Sequence, residues 1–223
     1  MIDGNVHTAL SDVTNSSQCC SICVASPKAM NGIKKIVLKK GMTGSFFFGL
    51  SSLHAWIRFF ECLLHIGYKM TLKKWQVRTV ENKSKVKALK QQIQNRFKHE
   101  VGFIVDVPKP GGSGTSNGGN TSRRAIHNAE KLVEILIIDV ELILNLHIIL
   151  ATILCGLDID TDKFEAFCLK TARLYVHHYP WYYMPQYLHK ILIHSFEIIK
   201  TLTLPIGMYS EEAQEARNKD FQN

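Results

Sequence analysis

The chain has 223 residues, of which 46% are hydrophobic and 21% charged, and a formal net charge of +8. That length suits one sizeable domain, the apolar share is enough for a real core, and a near-average charged share excludes wholesale disorder. The positive balance favours an acidic partner, nucleic acid before an anionic membrane.

The first residues, Met-Ile-Asp-Gly-Asn-Val, lack the basic start and apolar run of a secretory signal. The longest apolar stretch, Leu142 to Leu154, contains Asn145 and His147. It is too short and too polar to span a bilayer, which takes about 20 apolar residues, so no membrane partner is expected. Of the six cysteines, Cys19, Cys20 and Cys23 cluster, while Cys62, Cys155 and Cys168 sit in apolar helical patterns. This is not the spread of a disulfide framework and implies a reducing compartment.

Residues 1–18 read as the end of a buried strand and a loop. Residues 19–32 hold the cysteine cluster and a turn, and Lys34, Lys35, Lys39 and Lys40 flank an apolar Ile36-Val37-Leu38. Over 46–66, Phe47, Leu50, Leu53, Ile57, Phe60 and Leu64 recur at spacings of three and four, which predicts an amphipathic helix. Gly67 is expected to end it. Residues 68–100 carry ten Lys or Arg against Glu81 and Glu100. Val86, Leu89, Ile93 and Phe97 make one apolar stripe there, so the lysines line the opposite face of a helix. That face is either solvated or a contact for phosphates.

Residues 107–122 form a Gly/Ser/Asn-rich loop without the Gly-Lys-Ser/Thr of a Walker phosphate loop. Arg123 and Arg124 follow at the expected start of the next helix. Residues 124–155, 162–179 and 187–203 read as three helices, with Pro180 and Pro185 bracketing a break. Ser210 can cap a last helix, with Glu211 and Glu212 in its first turn, where the dipole favours them.

Two sets of residues carry possible chemistry. Cys20 and Cys23 have the Cys-x-x-Cys spacing at which two thiolates bind one zinc, and His189 and His194 supply two imidazoles. Cys19 can stand in for Cys20. In a regular helix an i,i+5 pair does not share a face, so one histidine should sit at the helix start. The alternative is a turn cysteine pair and two ordinary histidines. The second set is acidic. Two-metal phosphoryl transfer needs about three carboxylates, and the sequence alone does not pick them from nineteen.

Several stretches resemble Transib-type cut-and-paste DNA transposases. They are Gly49-Leu-Ser-Ser-Leu-His-Ala-Trp-Ile-Arg-Phe-Phe-Glu-Cys-Leu-Leu-His, Pro108-Lys-Pro-Gly-Gly-Ser-Gly-Thr-Ser-Asn-Gly-Gly-Asn-Thr-Ser-Arg-Arg, Tyr183-Met-Pro-Gln-Tyr-Leu-His-Lys-Ile-Leu-Ile-His, Leu204-Pro-Ile-Gly and Ser210-Glu-Glu-Ala-Gln-Glu-Ala-Arg-Asn-Lys-Asp-Phe. The last block is also similar to the catalytic subunit of the vertebrate antigen-receptor recombinase.

The resemblance implies a mainly α chain: the C-terminal part of a split ribonuclease-H-like core, most of its sheet missing, with a helical zinc-binding insertion. Residues 1–18 would end the core, 19–205 form the insertion and 206–223 carry the catalytic Glu helix. It assigns a structural Zn²⁺ to Cys20, Cys23, His189 and His194. Catalytic Mg²⁺ or Mn²⁺ would fall to Asp3 and Glu215, with Glu211 as second choice, in the complete enzyme only. Lys83, Lys87, Lys90, Lys109, Asn117, Asn120, Arg123 and Arg124 are the expected DNA contacts. Duplex DNA is the expected partner, a homodimer the expected state of the intact parent, and the nucleus the expected location.

Nothing in the sequence matches the first catalytic Asp, so the chain alone is expected not to cut DNA. The alternative is a non-catalytic DNA-binding or transposase-interacting module.

Overall fold

The computed structural model describes residues 19–20, 22–37, 50–111 and 114–209. These are mainly helical, and among them the only β pairing is an isolated bridge between Pro108 and Thr115. Two short helices come first, α1 (Pro27–Met30), which has Pro at its start, and α2 (Ile33–Val37). The long helix α3 (Ser52–Lys69) is capped by Ser51, whose side chain accepts from the His54 N–H. Helix α4 (Val80–Arg96) is capped by Thr79 and runs on into a π-helical turn, Phe97–Val101. Gly102 stops it in the left-handed conformation, φ 79°, which glycine adopts without Cβ strain.

Three further helices follow: α5 (Gly119–His127), α6 (Ala129–Leu136) and α7 (Val140–Leu154). Helix α8 (Thr161–His178) is capped by Asp160. The last helical run has three parts: α9 (Gln186–His189), a π turn (Lys190–His194) and α10 (Ser195–Lys200). A 3₁₀ turn, Ile206–Tyr209, ends the described chain.

Helix α3 is the axis of the fold. It packs against α4, α5, α6, α7 and α9. Trp56, Phe59, Phe60, Leu63, Leu64 and Ile66 on it are fully buried. Each such side chain contributes about 1.5–3 kcal/mol by leaving water. The apolar stripe expected on the basic helix is present: Ile93 and Phe97 are buried, and Val86 and Leu89 pack half-buried on the core. Helix α8 lies against α7, the π turn and α10. No described helix is long and apolar enough to cross a membrane.

Four sequence expectations are corrected. Gly67 does not end α3. It sits inside the helix where a Cβ would come within 2.9 Å of Leu136 Cδ2, so a glycine is what lets α6 approach. The stretch 124–155 is not one helix. Asn128 separates α5 from α6, and Ile137, left-handed at φ 57°, separates α6 from α7, which Asp139 then caps. The helix bearing Arg123 and Arg124 begins at Gly119, so the arginines lie within it rather than at its start. The 107–122 segment is less loop-like than expected, because Lys109 N–H donates to Gly114 O and Ser116 N–H to Val107 O in a small hairpin.

Candidate metal centre

The two halves of the cysteine–histidine set meet. Cys20, Cys23, His189 and His194 are all buried, and one donor atom from each lies within 4.8 Å of all the others. Cys23 Sγ is 3.3 Å from His189 Nε2, across 166 residues of sequence.

Local backbone chemistry explains the cysteine side. Cys20 N–H donates to Ala25 O, and Val24 N–H donates to Cys20 O, both at 2.9 Å. These bonds curl the chain so that both thiols point inward. The turn forces Val24 to φ 57°, a left-handed conformation that a β-branched residue occupies only under strain.

The histidine side depends on the π turn. In a continuous α-helix, residues five apart lie about 140° apart around the axis. The widened turn Lys190–His194 puts one more residue into the loop, which brings i and i+5 onto one face. His189 ends the single α turn that starts the helix, close to the looser helix start expected for one of the pair. Ser195 Oγ donates to Ile191 O at 2.5 Å, giving a carbonyl of the widened turn a partner.

Two side chains fasten the halves together and a third ties the histidine side to the start of α3. Gln186 Nε2 donates to Cys19 O at 2.5 Å. Asn31 Oδ1 accepts from Met184 N–H at 2.8 Å. Tyr187 O–H donates to Ser51 O at 2.5 Å.

The electrostatics suit a cation. His194 Nδ1 lies 3.2 Å from Glu197 Oε2. A carboxylate only accepts, so Nδ1 carries the hydrogen and Nε2 presents its lone pair. That Nε2 is buried without a hydrogen-bond partner, as is His189 Nδ1. A buried polar atom left without a partner is costly and calls for an explanation. The Cys20 thiol is pulled well below its ordinary value, first by a hydrogen bond from the Cys23 thiol, while burial pushes the other way and the His189 and His194 imidazoles lower it further. Burial lowers the Lys190 ammonium, and a charged Cys20 partly offsets this.

Two thiols and two imidazoles are the donor set of a closed tetrahedral zinc site. Zinc–ligand distances of about 2.0–2.3 Å give tetrahedral edges of about 3.3–3.8 Å, so donors that lie within 4.8 Å of one another have to close by no more than about 1.5 Å. Cys19 is half-buried and outside this group, so Cys20 is the cysteine that the fold brings to Cys23 and the two histidines. None of the six cysteines forms a disulfide among the described residues.

Glu197 was missed in sequence reading. Its signal was the spacing His-x-x-Glu, which puts the two one helical turn apart.

Of the other expected site residues, Lys83, Lys87 and Lys90 share one groove beside α4 and the rest scatter. Lys83 and Lys87 are exposed on α4. Lys90 pairs with Asp106 at 2.5 Å and lies over the Tyr68 ring. Asn117 is buried, and its Oδ1 accepts from Asp106 N–H at 2.8 Å, so it shapes the chain locally. Lys109 and Asn120 are exposed. The guanidinium of Arg123 lies over Trp56 and that of Arg124 over Phe103. Asp3, Glu211 and Glu215 lie outside the described residues.

No protein-family model matches the chain, and a search of curated proteins finds no match either.

Proposed function

We propose that the chain is a zinc-held helical segment of a Transib-type cut-and-paste DNA transposase. The observation that carries this is the meeting of Cys20, Cys23, His189 and His194 in one buried group, the four residues to which the family resemblance assigns zinc. Three further features support it: the carboxylate behind His194, the orphaned His194 Nε2 and the net charge of +8. The metal's part is structural, because four protein ligands leave no open position for a reacting group.

In this proposal the ribonuclease-H-like core belongs to the complete enzyme. There, Asp3 and Glu215 would hold catalytic Mg²⁺ or Mn²⁺ together with a first Asp that these 223 residues do not offer. The basic face of α4 holds duplex DNA, and the complex works in the nucleus as a homodimer.

The test has two stages. Metal analysis of the purified chain should give about one zinc per molecule. Binding to duplex DNA should be weak and should fall steeply with salt, because neutralising phosphates releases counterions. The chain alone should not nick DNA. Joined to the N-terminal part of an active relative it should cut, and Glu215→Gln should abolish the cutting. A metal-free protein with unchanged melting would remove the zinc. Absence of DNA binding at low salt would remove the transposase reading.

A further inference from the structure

A groove of about 620 Å³ runs between α4 and the connector that follows α3. Lys69, Arg78, Lys83, Lys87 and Lys90 line it together with Trp75, and no carboxylate does. Two of the cations are engaged at home: Lys69 Nζ donates to Trp75 O at 2.9 Å, and Lys90 pairs with Asp106. Arg78 shares its guanidinium with Gln76 Oε1 at 2.9 Å. Lys83 and Lys87 lie exposed on α4 and line the same groove as Trp75, and the ion pairs along α4 engage other residues: Lys85 with Glu81, Lys90 with Asp106 and Arg96 with Glu100 and Glu134.

The ring of Trp75 is held still. Tyr182 meets it edge-on at 4.7 Å, Tyr183 leans on it at 5.1 Å, and the Lys69 ammonium sits 5.5 Å from its centre. A half-buried indole fixed at the rim of a basic groove loses little freedom when a flat ring settles on it.

Duplex DNA has no use for such a ring, because its bases are stacked inside and it offers only phosphates to a basic face. An unpaired strand offers both phosphates and base faces. Cations along a groove with an aromatic platform are how single strands are held without sequence preference.

We propose that this groove binds single-stranded nucleic acid, with an unpaired base on Trp75 and the adjoining phosphates on Lys83 and Lys87. It rests on the nucleic-acid reading above and narrows it from duplex to single strand at this face.

The test uses the zinc-loaded full chain, a labelled oligo-deoxythymidine strand and a blunt duplex of the same length, with affinity read by anisotropy at low salt. The strand should bind about tenfold more tightly than the duplex. Trp75→Leu should remove most of that advantage and leave the duplex affinity unmoved. Lys83→Glu with Lys87→Glu should weaken the strand at least tenfold and flatten its salt dependence by roughly one unit per lost contact.

Melting is followed for each variant, because Trp75 packs on Tyr182. Should Trp75→Leu unfold, ultraviolet cross-linking of the strand to the unaltered chain decides the matter, and the cross-link should map to the peptide containing Trp75. Equal affinity for strand and duplex, a folded Trp75→Leu chain that binds normally, or a cross-link elsewhere overturns the single-strand groove and leaves duplex binding standing. Failure of both probes to bind overturns the wider reading as well.

Discussion

The cysteine–histidine cluster and the basic face of α4 each concentrate polar groups, and they treat them in opposite ways. The cluster joins residues 166 apart, buries every donor and leaves two ring nitrogens without partners. The basic face is built within one helix and most of it stays in water, with partners both local, as Lys85 with Glu81, and distant, as Lys90 with Asp106. Unsatisfied buried donors are expensive and therefore informative, whereas solvated lysines cost almost nothing and on their own say little. Burial and sequence distance, rather than the density of charge, thus mark a site.

The largest expected effect tests the buried side. Stripping the metal with a chelator, or replacing Cys23 or His194 with Ala, should destabilise the chain by on the order of 4 kcal/mol or more, since metal-binding energy here is folding energy. Denaturant melts of the metal-loaded and stripped protein measure it. A stripped protein that melts like the loaded one would put the cluster on the same footing as the surface lysines.

How much of this was legible in the sequence depends on how local the cause was. The ligand types were legible, because Cys-x-x-Cys has a spacing with chemical meaning. Their convergence with His189 and His194 was not legible in the spacing and rested on the family resemblance, because it is made by the turn after α1 and the 180–186 turn, through contacts such as Asn31 to Met184. The i,i+5 spacing read as a difficulty, and the π turn that removes it carries no residue signature of its own. The break within 124–155 was hidden for a similar reason. Ile137 takes a left-handed conformation that glycine or asparagine would have advertised, while Asp139, the cap of α7, falls inside the 124–155 stretch. Helices α3, α4 and α8 were legible because their apolar periodicity is long and regular.

The next effect in size concerns Glu197. Its carboxylate fixes the His194 tautomer, so Glu197→Gln should loosen rather than abolish the site. Such supporting partners are worth about 10–100-fold in metal affinity, or about 1.4–2.8 kcal/mol. A competition titration against a zinc chelator reads this directly. An unchanged affinity would mean that the imidazole is oriented by packing alone.

Val24 tests the cost of the turn. A left-handed conformation costs a non-glycine residue about 1–2 kcal/mol, and Val24 holds φ 57° because its N–H closes the bond to Cys20 O. Val24→Gly should therefore raise stability by about 1 kcal/mol, discounted for the extra freedom glycine has in the unfolded chain. Thermal melts of the metal-loaded protein test the sign. A loss instead of a gain would show that the half-exposed valine side chain contributes more by packing than its backbone costs.

The smallest effects sharpen the comparison within the basic helix itself. Lys90 does not belong with its neighbours. Its ammonium lies 2.5 Å from Asp106 Oδ2 and over the Tyr68 ring, and Asp106 is only 8% exposed. Removing Lys90 leaves a carboxylate with little water and no cation, so Lys90→Ala should cost about 1 kcal/mol. Lys83 and Lys87 make no such contact, and Lys83→Ala with Lys87→Ala should stay within about 0.5 kcal/mol. Measured together by denaturant melts, the three lysines divide the helix into a part that folds the chain and a part that is available to a ligand. If Lys90→Ala melts like the other two, the Asp106 pair is an exposed contact of no consequence, and Lys90 joins the phosphate-facing set. If Lys83→Ala and Lys87→Ala also destabilise, their face is packed against something within the chain, and the groove beside Trp75 is not open to a nucleic acid.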